Sequence, residues 1–303
     1  MCAYCGQPSA EAIAAHEEEF ATRQFVIALV ARANPFTMIL IGANVAIFLV
    51  EWVYGGMGIM STDVRVLVAL GAKQNALVIG GLQYWRLITC MFLHIGFLHL
   101  LFNNYALWII GQEIEKLYGS ARFVVLYVVT GVLASVCSLV LSPEAVSAGA
   151  SGAIFGLFGV LGTFAFRYRR EIPSTIGKSI RSRVLPIIAL NLFIGFQTGI
   201  VDNAAHVGGL VSGVILALVV PYKRLDERET PIFWRSLQIA CLTAVALSLI
   251  LAFRNFAVFQ SVRNGRPRTV SRSIFDTTGM AVPAASRIQI TSSASSDVRC
   301  IIV

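Results

Sequence analysis

Two polar side chains sit in glycine-rich surroundings suited to nucleophilic chemistry: Ser151, within Gly149-Ala150-Ser151-Gly152, and His206, within Ala205-His206-Val207-Gly208-Gly209. A serine hydroxyl is a weak nucleophile until a neutral imidazole within hydrogen-bond reach takes its proton, so such a pair suits acyl transfer. Gly152/Gly156, Ala205/Gly209 and Gly209/Gly213 are small residues four apart. That spacing lets two helix backbones approach closely, and taken alone it is a packing motif. Here one motif carries a serine and the other a histidine. A further polar group comprises His94, His99, Asn103 and Asn104, with Ser147 and Asn191 elsewhere; of the four histidines only His16 lies outside these sets. His99 and Asn103, four apart, share one helix face.

The elements that must position these residues are written in the composition. Of 303 residues 56% are apolar and only 13% charged, and the mean hydropathy is +0.75. Lipid must be the solvent for most of the chain. Uncharged runs cover residues 33–50, 87–112, 123–143, 145–166, 184–201, 203–222 and 236–253. Each approaches the roughly 20 helical residues that cross a hydrocarbon core of about 30 Å. Hydrocarbon solvates no backbone N–H or C=O, and no period-two alternation marks barrel strands, so the runs read as helices. The expected fold is an all-α polytopic transmembrane bundle. Its six-span core is 36–222, preceded by a cytoplasmic segment 1–35 and followed by a linker with a seventh span, 223–256, and a Ser/Arg-rich disordered tail, 257–303.

Charge placement sets the orientation. Between the fourth and fifth runs lie Arg167, Arg169, Arg170, Lys178, Arg181 and Arg183 against one acid, Glu171. That loop reads as cytoplasmic, as do the N-terminus and Lys223-Arg224. The net charge of +8 therefore reads as a surface facing anionic lipid, not nucleic acid. Spans two, four and six then enter from the extracytoplasmic side. Counting Ser151 six residues beyond Ala145 and His206 four beyond Asp202 puts both about 6–10 Å into their helices. No long apolar stretch precedes Phe36, so no cleavable signal peptide is expected. Cys2 and Cys5, with His16 downstream, supply half of a degenerate zinc ribbon with no second pair to complete it, and an unstructured segment is the expectation. No metal or cofactor is implied elsewhere. The closing Cys300-Ile301-Ile302-Val303 is formally a prenylation box with an atypical last residue, read as chance.

These residues resemble a known family. Gly149-Ala150-Ser151-Gly152 resembles the rhomboid GxSG motif, Ala205-His206-Val207-Gly208-Gly209 its histidine motif, and His94-x4-His99-x3-Asn103 its second-span signature; Trp85-Arg86 and Glu115 also look like family positions. The resemblance covers roughly residues 37–222. It implies an intramembrane serine endopeptidase with Ser151 as nucleophile and His206 as base, a dyad without an acid. No Asp or Glu is expected within the spans, Asp202 lying at the membrane edge. The resemblance further implies an oxyanion site of His99, the Asn103 amide and the Ser151 N–H, with Phe155 packed on the histidine ring. His94, Gly149, Gly152 and Phe155 are expected to line the site, and His94, Asn104 and Ser147 to wet it from the extracytoplasmic face. Substrates would be single-span or polytopic membrane proteins cleaved near that face, in a bacterial inner membrane. Two rivals stand beside this reading: an inactive rhomboid-like protein that binds client helices, and a small transporter, for which polar groups should spread through the full depth of the spans.

Overall fold

A computed structural model describes residues 10–55, 60–198, 201–224, 227, 229–264 and 300–302. Cys2, Cys5 and most of the tail lie outside the described residues. The chain forms α1 (Ala10–Val30), α2 (Pro35–Gly55), α3 (Val64–Leu70), a π turn (Ala76–Gly80), and α4 (Arg86–Thr89), which runs into a 3-10 turn (Cys90–Phe92). Then come α5 (Phe97–Tyr118), α6 (Ser120–Leu141), a short strand β1 (Val146–Ala148), α7 (Ser151–Arg167), α8 (Ser174–Thr198), α9 (Asn203–Val219), α10 (Ile232–Arg263) and β2 (Cys300–Ile302). The fold is an all-α polytopic bundle. Parallel pairing of β1 with β2 is a minor addition to it.

Four helices, Pro35–Gly55, Ser120–Leu141, Ser174–Gln197 and Ile232–Arg263, are long and apolar enough to cross a bilayer. The second apolar run departs from expectation. It is broken into Arg86–Phe92 and Phe97–Tyr118, which meet at 95°. Tertiary partners take the backbone groups at the break: the Thr62 N–H donates to Ile95 O at 2.7 Å, and the His94 N–H donates to the Glu51 carboxylate at 3.1 Å. Gly96 passes so close to the Met60 carbonyl that a Cβ there would collide with it.

The fourth and sixth runs also differ. α7 and α9 have 17 residues each, about 26 Å of helix at 1.5 Å per residue, which is short of the hydrocarbon thickness. Residues 145–150, read as the start of a helix, instead form β1 and a turn. Lys73 and Ser147 exchange backbone hydrogen bonds of 3.0 Å, and the Gly149 N–H donates to Cys90 O at 2.9 Å. Gly149 has φ +146°, a conformation open to glycine and strained for other residues.

The N-terminal segment, expected without structure, contains helix α1, whose Phe25 is buried. Its Glu18 accepts hydrogen bonds from the Ser174 hydroxyl at 2.5 Å and the Thr175 N–H at 3.1 Å, at the start of α8. Arg32, in the link from α1 to α2, donates to Lys116 O, Lys223 O and Arg224 O at 2.8–3.0 Å. The start of α2, the end of α5 and the chain leaving α9 are thereby gathered at one end of the bundle. That end carries Lys223-Arg224, part of the excess of basic residues on which the expected cytoplasmic orientation rests. At the other end, Asn255 of α10 donates to Ala69 O of α3 at 2.7 Å.

α7 is the central helix, buried on nearly every face. Its glycines set how closely α9 approaches. A Cβ on Gly209 would overlap the Gly152 carbonyl oxygen, and one on Gly213 the Gly156 carbonyl oxygen. Backbone rests directly on backbone, as the small-residue spacing predicted.

Candidate active site

Close packing of α7 on α9 brings the serine and histidine together. The Ser151 Oγ stands 2.6 Å from His206 Nε2, within hydrogen-bond distance. Ser151 is the first residue of α7, so its N–H is among the groups without an intrahelical acceptor. His206 lies in the first turn of α9 and its ring stacks on Phe155, with centroids 4.1 Å apart and planes inclined by 11°. The ring is buried, and its Nδ1 meets no hydrogen-bond partner among the described residues. Both residues thus stand at helix N-termini.

A cavity of about 170 Å³ opens in front of the pair, lined by His99, Asn103, Ser151, Phe155, Asn191 and His206 together with apolar side chains of α5, α7 and α8. The Asn103 Nδ2 donates to His99 O at 2.9 Å, and its second amide hydrogen remains for another acceptor. The His99 Nδ1 accepts from the Ile95 N–H at 3.3 Å, which ties the ring to the break before α5.

Other expected residues sit elsewhere. His94 is fully buried, and its ring lies behind His99 with centroids 5.2 Å apart, away from the cavity lining. Gly149 shapes the turn into α7, and Gly152 meets Gly209. Asn104 turns to α2, accepting from Asn44 Nδ2 at 2.9 Å. Ser147 points toward Asp202. The expected wet indentation of His94, Asn104 and Ser147 is therefore not what the packing produces, because each finds a partner or is sealed on another side.

Three charged residues were missed or misjudged. Glu51, directly after an uncharged run, lies inside α2 and is fully buried, which corrects the expectation that the spans hold no acid. It serves the backbone at His94 and makes no hydrogen bond to the His206 ring. Asp202 caps α9, accepting from the Ala205 N–H at 3.1 Å, the Ser147 hydroxyl at 2.5 Å and the Ser138 hydroxyl. It thus ties α9, which carries His206, to β1, three residues before Ser151, and to α6. Lys73, also fully buried, donates to Ser138 O, Ser142 O and Ala145 O at 2.9–3.2 Å. Burial pushes its ammonium pKa down, and the Asp202 charge opposes that shift. A sequence signal existed for Asp202, since an Asp before an apolar helix is an N-cap. For Lys73 and Glu51 there was none beyond an isolated charge in an apolar setting.

Among the described residues no group of three or more His, Cys, Asp or Glu side chains is placed to hold a metal ion.

Such a bundle, with several helices long and apolar enough to cross a bilayer around a hydrogen-bonded serine and histidine, is that of a multi-pass integral membrane protein. Its sequence is similar to known proteins of one kind. The Rhomboid domain model matches residues 81–223. The chain is 43% identical over 182 residues to "Rhomboid protease GluP" of Bacillus subtilis, covering 60% of this chain and 34% of that protein. It is 35% identical over 143 residues to "Putative rhomboid protease YdcA" of the same organism, 47% of this chain and 70% of that one. Identity to "RHOMBOID-like protein 5" of Arabidopsis thaliana is 38% over 164 residues, 54% and 52% of the two chains. The chain belongs to the rhomboid family. It spans about a third of the length of GluP and about half that of the plant relative.

Proposed function

We propose that this protein is an intramembrane serine endopeptidase acting through a Ser151–His206 dyad. The observation that carries the reading is the 2.6 Å contact between Ser151 Oγ and His206 Nε2 at the edge of a cavity. Neutral His206 takes the hydroxyl proton as Ser151 attacks a scissile carbonyl, giving a tetrahedral oxyanion; passing that proton to the leaving nitrogen breaks the C–N bond, frees the amine and leaves an acyl-enzyme, which water activated by the same imidazole hydrolyses to a carboxylic acid and free Ser151. The resulting oxyanion needs donors. The free N–H of Ser151, the spare hydrogen of the Asn103 amide and the His99 ring are the groups at hand, and loss of one such donor typically costs roughly 3–4 kcal/mol. Stacking on Phe155 holds the imidazole plane. No carboxylate orients the ring among the described residues, so packing takes the part that an acid plays in a triad.

The substrates are membrane proteins. A helical substrate offers no unpaired carbonyl, so the segment cleaved unwinds locally, which favours Gly, Pro or small residues near the cut. Placement in a bacterial plasma membrane rests on similarity to the two Bacillus subtilis proteins.

The test is incubation of purified protein with a panel of single-span helices, comparing the natural sequence with Ser151→Ala and His206→Ala. Either substitution should lower cleavage by roughly 10⁴-fold or more. Cleavage that persists in both would reject the site. Folded protein that neither cleaves nor reacts with a fluorophosphonate at Ser151 would favour the client-binding alternative.

A further inference from the structure

At the cytoplasmic end of the bundle, far from Ser151, a second cavity of about 390 Å³ lies between the start of α2, the corner joining α5 to α6, the chain leaving α9 and the first turns of α10. Its volume is within the range of small-ligand sites, roughly 300–1,000 Å³. Three cations line it, Arg32, Lys223 and Arg235, against one acid, Glu115.

The acid is already spoken for. Its carboxylate accepts from the Phe36 N–H at 3.1 Å, the Thr37 N–H at 2.8 Å, the Thr37 hydroxyl at 2.7 Å and the Ser120 hydroxyl at 2.6 Å. The three cations make no ion pair among the described residues. Among the described residues the ion pairs are Arg65–Asp63, Arg122–Glu227 and Arg183–Glu113, and none includes Arg32, Lys223 or Arg235. Carbonyl oxygens hold the Arg32 guanidinium in place without neutralising it. The 22-residue α6 starts at the cavity with Ser120 and Ala121, adding the positive end of its dipole.

The other walls are apolar. Phe36 and Leu242 line the cavity, and apolar side chains of α10 beyond it, such as Ile239, are exposed on the outside of the bundle. A net positive cavity at the level of the cytoplasmic headgroups, opening beside an apolar helix face, matches a ligand with an anionic head and acyl tails.

We propose that this cavity binds a phosphate-bearing anion, and that its usual occupant is the headgroup of an anionic phospholipid of the cytoplasmic leaflet. The phosphate sits between Lys223 and Arg235, with Arg32 behind it, and links α10 to the six-helix core. The site is separate from the Ser151 chemistry and stands whether or not the protein cleaves substrates.

The test uses the full chain, purified in detergent and exchanged into mixtures of phosphatidylglycerol and phosphatidylcholine, with bound lipid read by native mass spectrometry. The natural sequence should retain phosphatidylglycerol preferentially. Lys223→Gln and Arg235→Gln should each lower that retention about fivefold, and together roughly thirtyfold, as expected for cations at an anionic surface. Arg235 is exposed at the start of α10, so Arg235→Gln alone serves should the double variant not fold. Displacement of bound lipid by millimolar inorganic phosphate supports recognition of the phosphate group. Retention of phosphate but not of lipid keeps the anion site and assigns it to a soluble ligand. Equal retention of both lipids with no phosphate bound, or retention undiminished in both variants, overturns the proposal.

Discussion

Replacing Gly209 by Ala adds one methyl group and should disable the site without touching either reacting residue. The new Cβ would overlap the carbonyl oxygen of Gly152, directly beside the nucleophile on α7. Backbone cannot rotate away as a side-chain tip can, so α9 must back off by on the order of 1 Å to restore van der Waals separation. His206 rides on the same turn of α9, and its Nε2 would leave the 2.6 Å contact with Ser151 for a distance beyond hydrogen-bond reach. A displacement of that size costs roughly 10²-fold in rate, and the overpacked interface roughly 1–3 kcal/mol of stability. Gly162→Ala, on the facing helix α7, is the control, because its Cβ would meet only Val184 Cγ1, at 4.0 Å. The assay is kcat/KM for a single-span substrate beside the rate of Ser151 labelling by a fluorophosphonate, with thermal unfolding in detergent to separate misfolding from misplacement. Full activity and labelling in folded Gly209→Ala would refute the claim that backbone contact sets the Ser–His geometry. Equal losses in Gly162→Ala would refute it too, by showing that any added methyl on these helices has the same effect.

Asp202→Ala removes the α9 cap and leaves the Ser138 and Ser147 hydroxyls without their acceptor, a loss of roughly 2–4 kcal/mol in detergent unfolding; Asp202→Asn, which keeps an acceptor, should lose less. Lys73→Ala takes the amine from three carbonyls, of which Ser138 O and Ser142 O keep a backbone N–H partner, and leaves Asp202 without its nearby countercharge; it should lower stability by roughly 3–5 kcal/mol, with unchanged unfolding disproving the role assigned to that amine. Glu51→Ala should cost roughly 1–3 kcal/mol through the unpaired His94 N–H, and Glu51→Gln should restore most of it. Hydrogen bonds from Ser174 and Thr175 lower the Glu18 pKa. A depressed carboxyl contributes above its unfolded value and loses that contribution as pH falls through the folded one, so protease sensitivity of α1 should rise on acidification below the ordinary carboxylate range and stay flat above it.

The site's residue types were legible because membrane spans expose so few polar side chains. Ser151, His206, His99 and Asn103 stood out against apolar runs, and the glycines beside them showed which helices could touch. What stayed hidden depended on partners distant in sequence. Nothing local stops a helix at Leu93; the chain turns there because Glu51 and Thr62 meet its backbone. Residues 145–150 carry no charge and scan as helix, yet their hydrogen bonds go to Lys73 and Cys90. Glu51 escaped because a run of uncharged residues ends where the charge is, whereas the helix continues one turn beyond it. The segment holding α1 was expected without structure because Cys2, Cys5 and His16 make no complete metal module, and its single buried Phe25 among the described residues gives little periodic signal.

The same hidden contacts explain how Ser151 and His206 come to lie at the starts of two apolar helices. Counting inward placed Ser151 six residues beyond Ala145, the start of its apolar run, while His206 already fell four beyond Asp202. The helix α7 instead starts at Ser151, and α9 starts at Asn203 as its run does. Each reacting residue now lies in a first turn, where free N–H groups and the positive end of the helix are available. The polar backbone that this exposes in a lipid setting must be bonded within the protein. Lys73, Asp202 and the carbonyl of Cys90 do that by tying β1 and its turn to α6, α9 and the break before α5. The buried charges that look least connected with catalysis are therefore the ones that allow helix ends, rather than helix interiors, to meet at the site.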